Sequence, residues 1–142
     1  MGAMMVKTSV TFAMMASALL ASLSGNVLGA PEETFAERRQ RAELVEAQSS
    51  VRSYLDDKMF PAVGPAIATA MHDCLKPKGA SMKRFTILAD LSKDGHFTRV
   101  AYEPKTNTAT CFAAAMAAFH APPPPTQDGN PLPIVIDMKV AP

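Results

Sequence analysis

The sequence predicts a small α+β domain, and three observations carry that prediction. Residues 85–91 and 132–140 alternate apolar side chains with polar or small ones, as strands with one buried face do. Ser92-Lys93-Asp94-Gly95 then leads into a second strand pattern, Phe97 to Tyr102, which makes a tight hairpin. Within 63–75 and 112–119, apolar residues recur at spacings of three and four, the period of helices with one buried stripe.

Residues 1–30 read as an export signal. Lys7 is the only charge before Glu32, Val10 to Leu23 is apolar, and Leu28-Gly29-Ala30 ends in the small residues a signal peptidase accepts. Cleavage is expected after Ala30, with Ser24 and Gly29 as other sites. The alternative is an uncleaved inner-membrane anchor, because Val10 to Leu28 approaches the roughly 20 residues that span a bilayer. Removal of 1–30 leaves 112 residues, one small domain with a modest core, and balances thirteen basic against thirteen acidic side chains. That balance gives no electrostatic reason for a nucleic acid or an anionic membrane to be the partner. Lys76, Lys78, Lys83 and Arg84 form the one basic cluster and read as a solvated face.

The exported part carries both cysteines, Cys74 and Cys111, and an even count in an oxidising compartment reads first as a disulfide. In the chain-entropy picture a bridge over a loop of this size contributes about 4 kcal/mol. Two distant thiols are too few for a metal, and the Cys-x-x-Cys of redox proteins is absent.

Residues 31–60 form a charged lead-in helix or linker. Leu44, Val45, Val51 and Leu55 supply apolar positions, but Gln48 interrupts the stripe and Arg38, Arg39 and Arg41 crowd its start. A solvated helix is expected there rather than a core element. Pro61 and Pro65 end it and open the domain proper, residues 61–142, because proline is tolerated only in a helix's first turn. Val63, Ile67, Ala70, Met71, Cys74 and Leu75 then share one helical face. On the first strand Phe85, Ile87, Ala89 and Leu91 oppose Thr86, Leu88 and Asp90, and Gly95 supplies a positive φ at the turn. In the return strand Phe97 and Ala101 lie on one parity while Val100 and Tyr102 lie on the other, which a bulge reconciles. Asn107, Thr108 or Thr110 caps the third helix, whose buried stripe is Phe112, Ala115, Met116 and Phe119. Pro122 to Pro125 stop it and read as a rigid connector rather than a polyproline ligand.

Catalytic and metal chemistry finds little support. Asp90-x-Ser92-x-Asp94-Gly95 imitates the start of a calcium loop, but Ala101 stands where the bidentate glutamate belongs and strands flank it. His72, His96 and His120 are scattered, and no phosphate loop or zinc pair is present. Of ten methionines, five (Met1, Met4, Met5, Met14 and Met15) fall in the expected signal, which weakens a copper reading based on them.

Cys111-Phe-Ala-Ala-Ala-Met116-Ala-Ala-Phe119-His-Ala, then Pro122 to Pro125 and the strand Leu132 to Val140, follow the Asp94-Gly95 hairpin in an order that resembles the C-terminal domain of the periplasmic proteins TolA and TonB. The likeness spans Val63 to Val140. It implies a three-stranded antiparallel sheet (helix, β-hairpin, helix, strand) with helices packed on one face. The last strand lies at an edge, beside the first, where a partner segment docks by strand addition. Ile134, Val135, Ile136, Asp137, Met138 and Lys139 would form that partner-binding strand, with Val135, Asp137 and Lys139 outward and Ile134 and Ile136 on the core. Two departures are visible. In TolA the first cysteine opens the first strand, whereas Cys74 ends a helix; and energy transduction in the family needs a membrane helix and a long linker that are not read here. The expectation is a soluble periplasmic binding module for an envelope protein, able to pair with itself through the same edge, without catalysis, cofactor or small-molecule substrate. The alternatives are an inner-membrane-anchored component of a Tol/Ton-type transducing system, or a periplasmic enzyme or metal protein in which His72, His96 or His120 converge on a pocket.

Overall fold

A computed structural model describes Gly29 and residues 31–125 and 128–141, so the expected signal lies outside the described residues apart from Gly29. The first helix, α1 (Phe35–Glu46), opens with a reciprocal cap. The Thr34 hydroxyl accepts from the Glu37 N–H at 3.2 Å, and the Glu37 carboxylate accepts from the Thr34 N–H at 2.8 Å. A short turn leads into a helical run over residues 49–75, made of α2 (Ser49–Tyr54), a π-helical turn (Leu55–Met59) and α3 (Phe60–Leu75).

The break expected at Pro61 and Pro65 does not occur. The π turn ends at Met59, two residues before Pro61, with the Phe60 N–H reaching back five residues to the Leu55 carbonyl. Pro61 then falls in the opening positions of α3, where a missing N–H costs least. The lead-in is therefore helical, as one of its two readings had it, but it is not solvated along its length. Val51, Tyr54, Leu55 and Met59 are buried in the same core as the elements that follow. Leu44, by contrast, is exposed.

Three antiparallel strands, β1 (Phe85–Leu91), β2 (Phe97–Glu103) and β3 (Leu132–Met138), form one sheet in the order β2-β1-β3. The fold is α+β, with β3 at an edge beside β1. Ile87 sits opposite Tyr102 on one side and Ile136 on the other. Between the Leu88–Ala101 and Asp90–Thr98 pairs, β2 carries one residue more than β1, and Arg99 takes φ 48° there. This bulge switches parity, so Phe97 is buried and Val100 and Tyr102 also pack against the core.

One face of the sheet presents Phe85, Ile87, Ala89, Leu91, Leu132, Ile134 and Ile136 to α3 and to α4 (Asn107–Ala115). Phe112 of α4, fully buried, meets Phe85 edge-on at 5.8 Å and Phe119 at 6.0 Å. Each such side chain contributes about 1.5–3 kcal/mol on burial. The expected disulfide joins Cys74, near the end of α3, to Cys111 in α4. Thr106 caps α4, its hydroxyl accepting from the Ala109 N–H at 3.1 Å, in place of the three candidates read from sequence. Asn107 is occupied elsewhere: its Oδ1 accepts from the Ser81 and Thr108 N–H groups and its amide donates to the Gly79 carbonyl. The prolines act as a connector, held where the Tyr54 hydroxyl donates to the Pro122 carbonyl at 2.6 Å. Burial pushes that phenol's pKa up to about 12.

Candidate functional site

The sheet's other face would be left to water by α3 and α4, yet every residue of β1 is buried. α1 covers it. Arg38, Ala42 and Glu46 recur every four residues and so share a side of the helix. Ala42 is buried, which brings the helix axis close to the strands. Leu88 is the large apolar side chain beneath, at 1% exposure.

Around that contact the groups are polar. Arg39 donates to the Thr86 hydroxyl at 3.1 Å and pairs with Asp137 at 3.0 Å, while Thr86 donates to the other Asp137 oxygen at 2.6 Å. Asp90, 3% exposed, lies 3.0 Å from the Arg99 guanidinium and 3.7 Å from that of Arg38. Arg38 also donates to the Arg99 carbonyl at 2.9 Å, which holds the bulge in place. A buried carboxylate between two guanidiniums is tolerable only because both are there. Its engagement also disposes of the calcium imitation, since Asp90 is turned into this face.

β3 carries five of the six expected docking residues, and Lys139 lies just past its end. Ile134 and Ile136 are buried in the core and Met138 packs against it; Val135 is half-buried, and Asp137 and Lys139 are exposed. The N–H of Val135 points away from β1 and donates to Glu46 Oε1 at 2.8 Å. Because backbone groups alternate along an antiparallel edge, Pro133, Val135 and Asp137 direct theirs outward together. Pro133 has no N–H to offer, a usual device for blunting an edge. Val135 is occupied by Glu46. The expected edge is thus present, but it is stopped at one position by proline and at the next by a carboxylate from α1.

Burial pushes the Glu46 carboxyl pKa upward, with the Val135 N–H pulling the other way and the nearby Glu43 and Asp137 carboxylates adding to the rise. The surroundings thus disfavour the ionised form, while its bond to the Val135 N–H favours it.

Sequence reasoning missed Arg38, Arg39 and Glu46 as structural groups. A signal was available: Thr86 and Asp90 are polar residues in an otherwise apolar strand, and α1 carries complementary charges at helical spacing around Ala42. As for the histidines, His72 stands exposed on α3 beside Asp73 at 3.6 Å, while His96 and His120 face each other with ring centroids 4.9 Å apart. The described residues contain no group of three or more His, Cys, Asp and Glu able to hold a metal. Among them, too, no helix is long and apolar enough to cross a membrane.

The class that fold and site define is a disulfide-tied α+β domain with an edge strand guarded by one helix. No family model, curated protein or solved structure matches the chain.

Proposed function

We propose that this is an exported protein-binding module of the TolA/TonB C-terminal kind, which receives an extended segment of an envelope protein along β3. One observation carries the reading: among the described residues, the outward backbone of β3 hydrogen-bonds one side chain, Glu46, and pairs with no further strand. Removal of that carboxylate frees the Val135 N–H for main-chain pairing alongside its outward C=O, while Ile134 and Ile136 keep the strand anchored to the core. Lys139 and the exposed part of Val135 then read the partner's side chains, and Asp137 does so by exchanging its contacts with Arg39 and Thr86. The Cys74–Cys111 bridge supports a periplasmic setting, where such bonds persist. The anchored transducer component is the alternative for the same domain, and it differs only in the fate of residues 1–30.

Cross-linking in the native host, from a photoreactive residue at Asp137 or Lys139, tests both points. The expected product is one recurrent envelope protein, attached at β3, with a higher yield in Glu46→Ala than in the wild type. Cross-links confined to other surfaces, or a yield indifferent to Glu46→Ala, would remove strand addition. Mass spectrometry of the recovered N-terminus assigns the compartment. A start near Pro31 fits export and cleavage, and an intact Met1 recovered with inner-membrane proteins shifts the reading to the anchored form.

A further inference from the structure

His96 follows the hairpin turn and His120 follows α4, and the two are partners in an isolated antiparallel bridge outside the named strands. Beside them the Ala121 N–H donates to the Gly95 carbonyl at 2.9 Å. A bond that flanks the pair in this way makes it the non-hydrogen-bonded type, the closer of the two antiparallel pairings, with Cα atoms about 4.5 Å apart and side chains on the same side.

The backbone that carries the pair is fixed on every side. Gly95, Phe97, Phe119 and Ala121 are all buried, so each histidine is set between two inward-facing neighbours and is itself exposed. Phe97 and Phe119 meet edge-on at 6.2 Å directly beneath. Gly95, at φ +85°, could carry no side chain, because a Cβ there would overlap the Ala121 carbonyl oxygen. Ser92 holds the other end of the turn, donating its N–H to the His96 carbonyl at 2.9 Å and accepting the His96 N–H through its hydroxyl at 3.1 Å. Pro122, two residues after His120, is tied to Tyr54.

Two imidazoles on so rigid a base, rings 79° apart and centroids 4.9 Å apart, are a bidentate nitrogen donor. Rotation about χ1 and χ2, which exposed rings make at little cost, can direct one nitrogen of each at a shared point about 2 Å from both. Such a site offers two borderline nitrogen ligands and open positions for water. It therefore selects the divalent ion that binds imidazole most strongly, which the order of first-row metals gives as copper(II). Both cysteines are bridged, so no thiolate competes. We propose that His96 and His120 form a surface copper(II) site, independent of the β3 edge.

Titration of the full chain with copper(II) chloride at neutral pH, followed by electron paramagnetic resonance, tests it. The expected result is one high-affinity equivalent whose spectrum shows two coordinated imidazole nitrogens. His96→Ala and His120→Ala should each lose that two-nitrogen species, and His72→Ala should retain it. Circular dichroism of the two variants should match the wild type, as both side chains are exposed. Wild-type protein without a two-nitrogen species would overturn the proposal. So would a species that survives either variant, or two separate one-nitrogen sites of which each variant removes one.

Discussion

The two faces of the sheet are held by different physics. On one, α3 and α4 cover Phe85, Ile87, Leu91, Leu132 and Ile134 with apolar side chains and lock the contact with a covalent bridge. On the other, α1 rests on Ala42 and Leu88, with Val45 packed against the core, and on guanidinium–carboxylate and hydroxyl contacts around Thr86, Asp90 and Asp137. Apolar burial is non-directional and is not screened by salt; polar contacts demand geometry, and where exposed they contribute little net stability. A protein can thus keep one helix layer permanent and the other conditional within a single small sheet.

Removal of the covalent lock probes the permanent face and has the largest expected effect. Replacing both Cys74 and Cys111 by serine opens a loop of 37 residues and should cost about 4 kcal/mol, read as a lower denaturant midpoint. An unchanged midpoint would mean that apolar packing alone sets the stability of this face. On the conditional face, Arg39→Ala removes ion pairs to Glu43 and Asp137 whose side chains are all more than a third exposed. The expected loss is below about 1 kcal/mol and shrinks further in molar salt. A loss several times larger, insensitive to salt, would put α1 in the same class as α3 and α4.

Glu46→Gln has the smallest effect and the most specific signature. Its folded pKa is raised, so the folded state binds the proton more tightly than the unfolded one. The penalty for ionised Glu46 is fully present above the folded pKa and fades as pH falls through it toward the unfolded value of about 4.3. Glutamine keeps an oxygen for the Val135 N–H without the charge. The variant should therefore be at least as stable as the wild type at neutral pH, with an advantage that narrows on acidification through that window. A pH-independent difference would show that Glu46 does not titrate against the fold.

The same contrast explains what could be read from the chain beforehand. β1, the Ser92–Gly95 turn, β3 and the stripe of α4 were legible because their apolar period reports burial against other apolar groups. The bulge at Arg99 was legible as a conflict of parity in β2. α1 was misread as solvated because its partners are polar, and polar burial leaves no hydrophobic period. Pro61 was misread as a stop because a π turn can present a proline at the head of the next helical segment without ending the run. Thr106 was passed over as the cap since Asn107 and Thr108, equally suitable by type, are engaged by residues 79–81, a long-range fact. In the candidate site, Ile134 and Ile136 were placed on the core by alternation alone, whereas the role of Glu46 depends on how a helix crosses a strand 89 residues away.

Gly95 gives this architecture an unusual pattern of tolerance. Hairpin tips are ordinarily where chains accept substitution and insertion most freely. Gly95 cannot accept even a methyl group, since the Ala121 carbonyl fills the space, Ala121 is itself buried, and the segment behind it is tethered through Pro122 to Tyr54. Gly95 is in effect an interior position at the tip of a hairpin whose Lys93 and Asp94 are exposed, and the place to open this chain for a tag or a graft lies away from it.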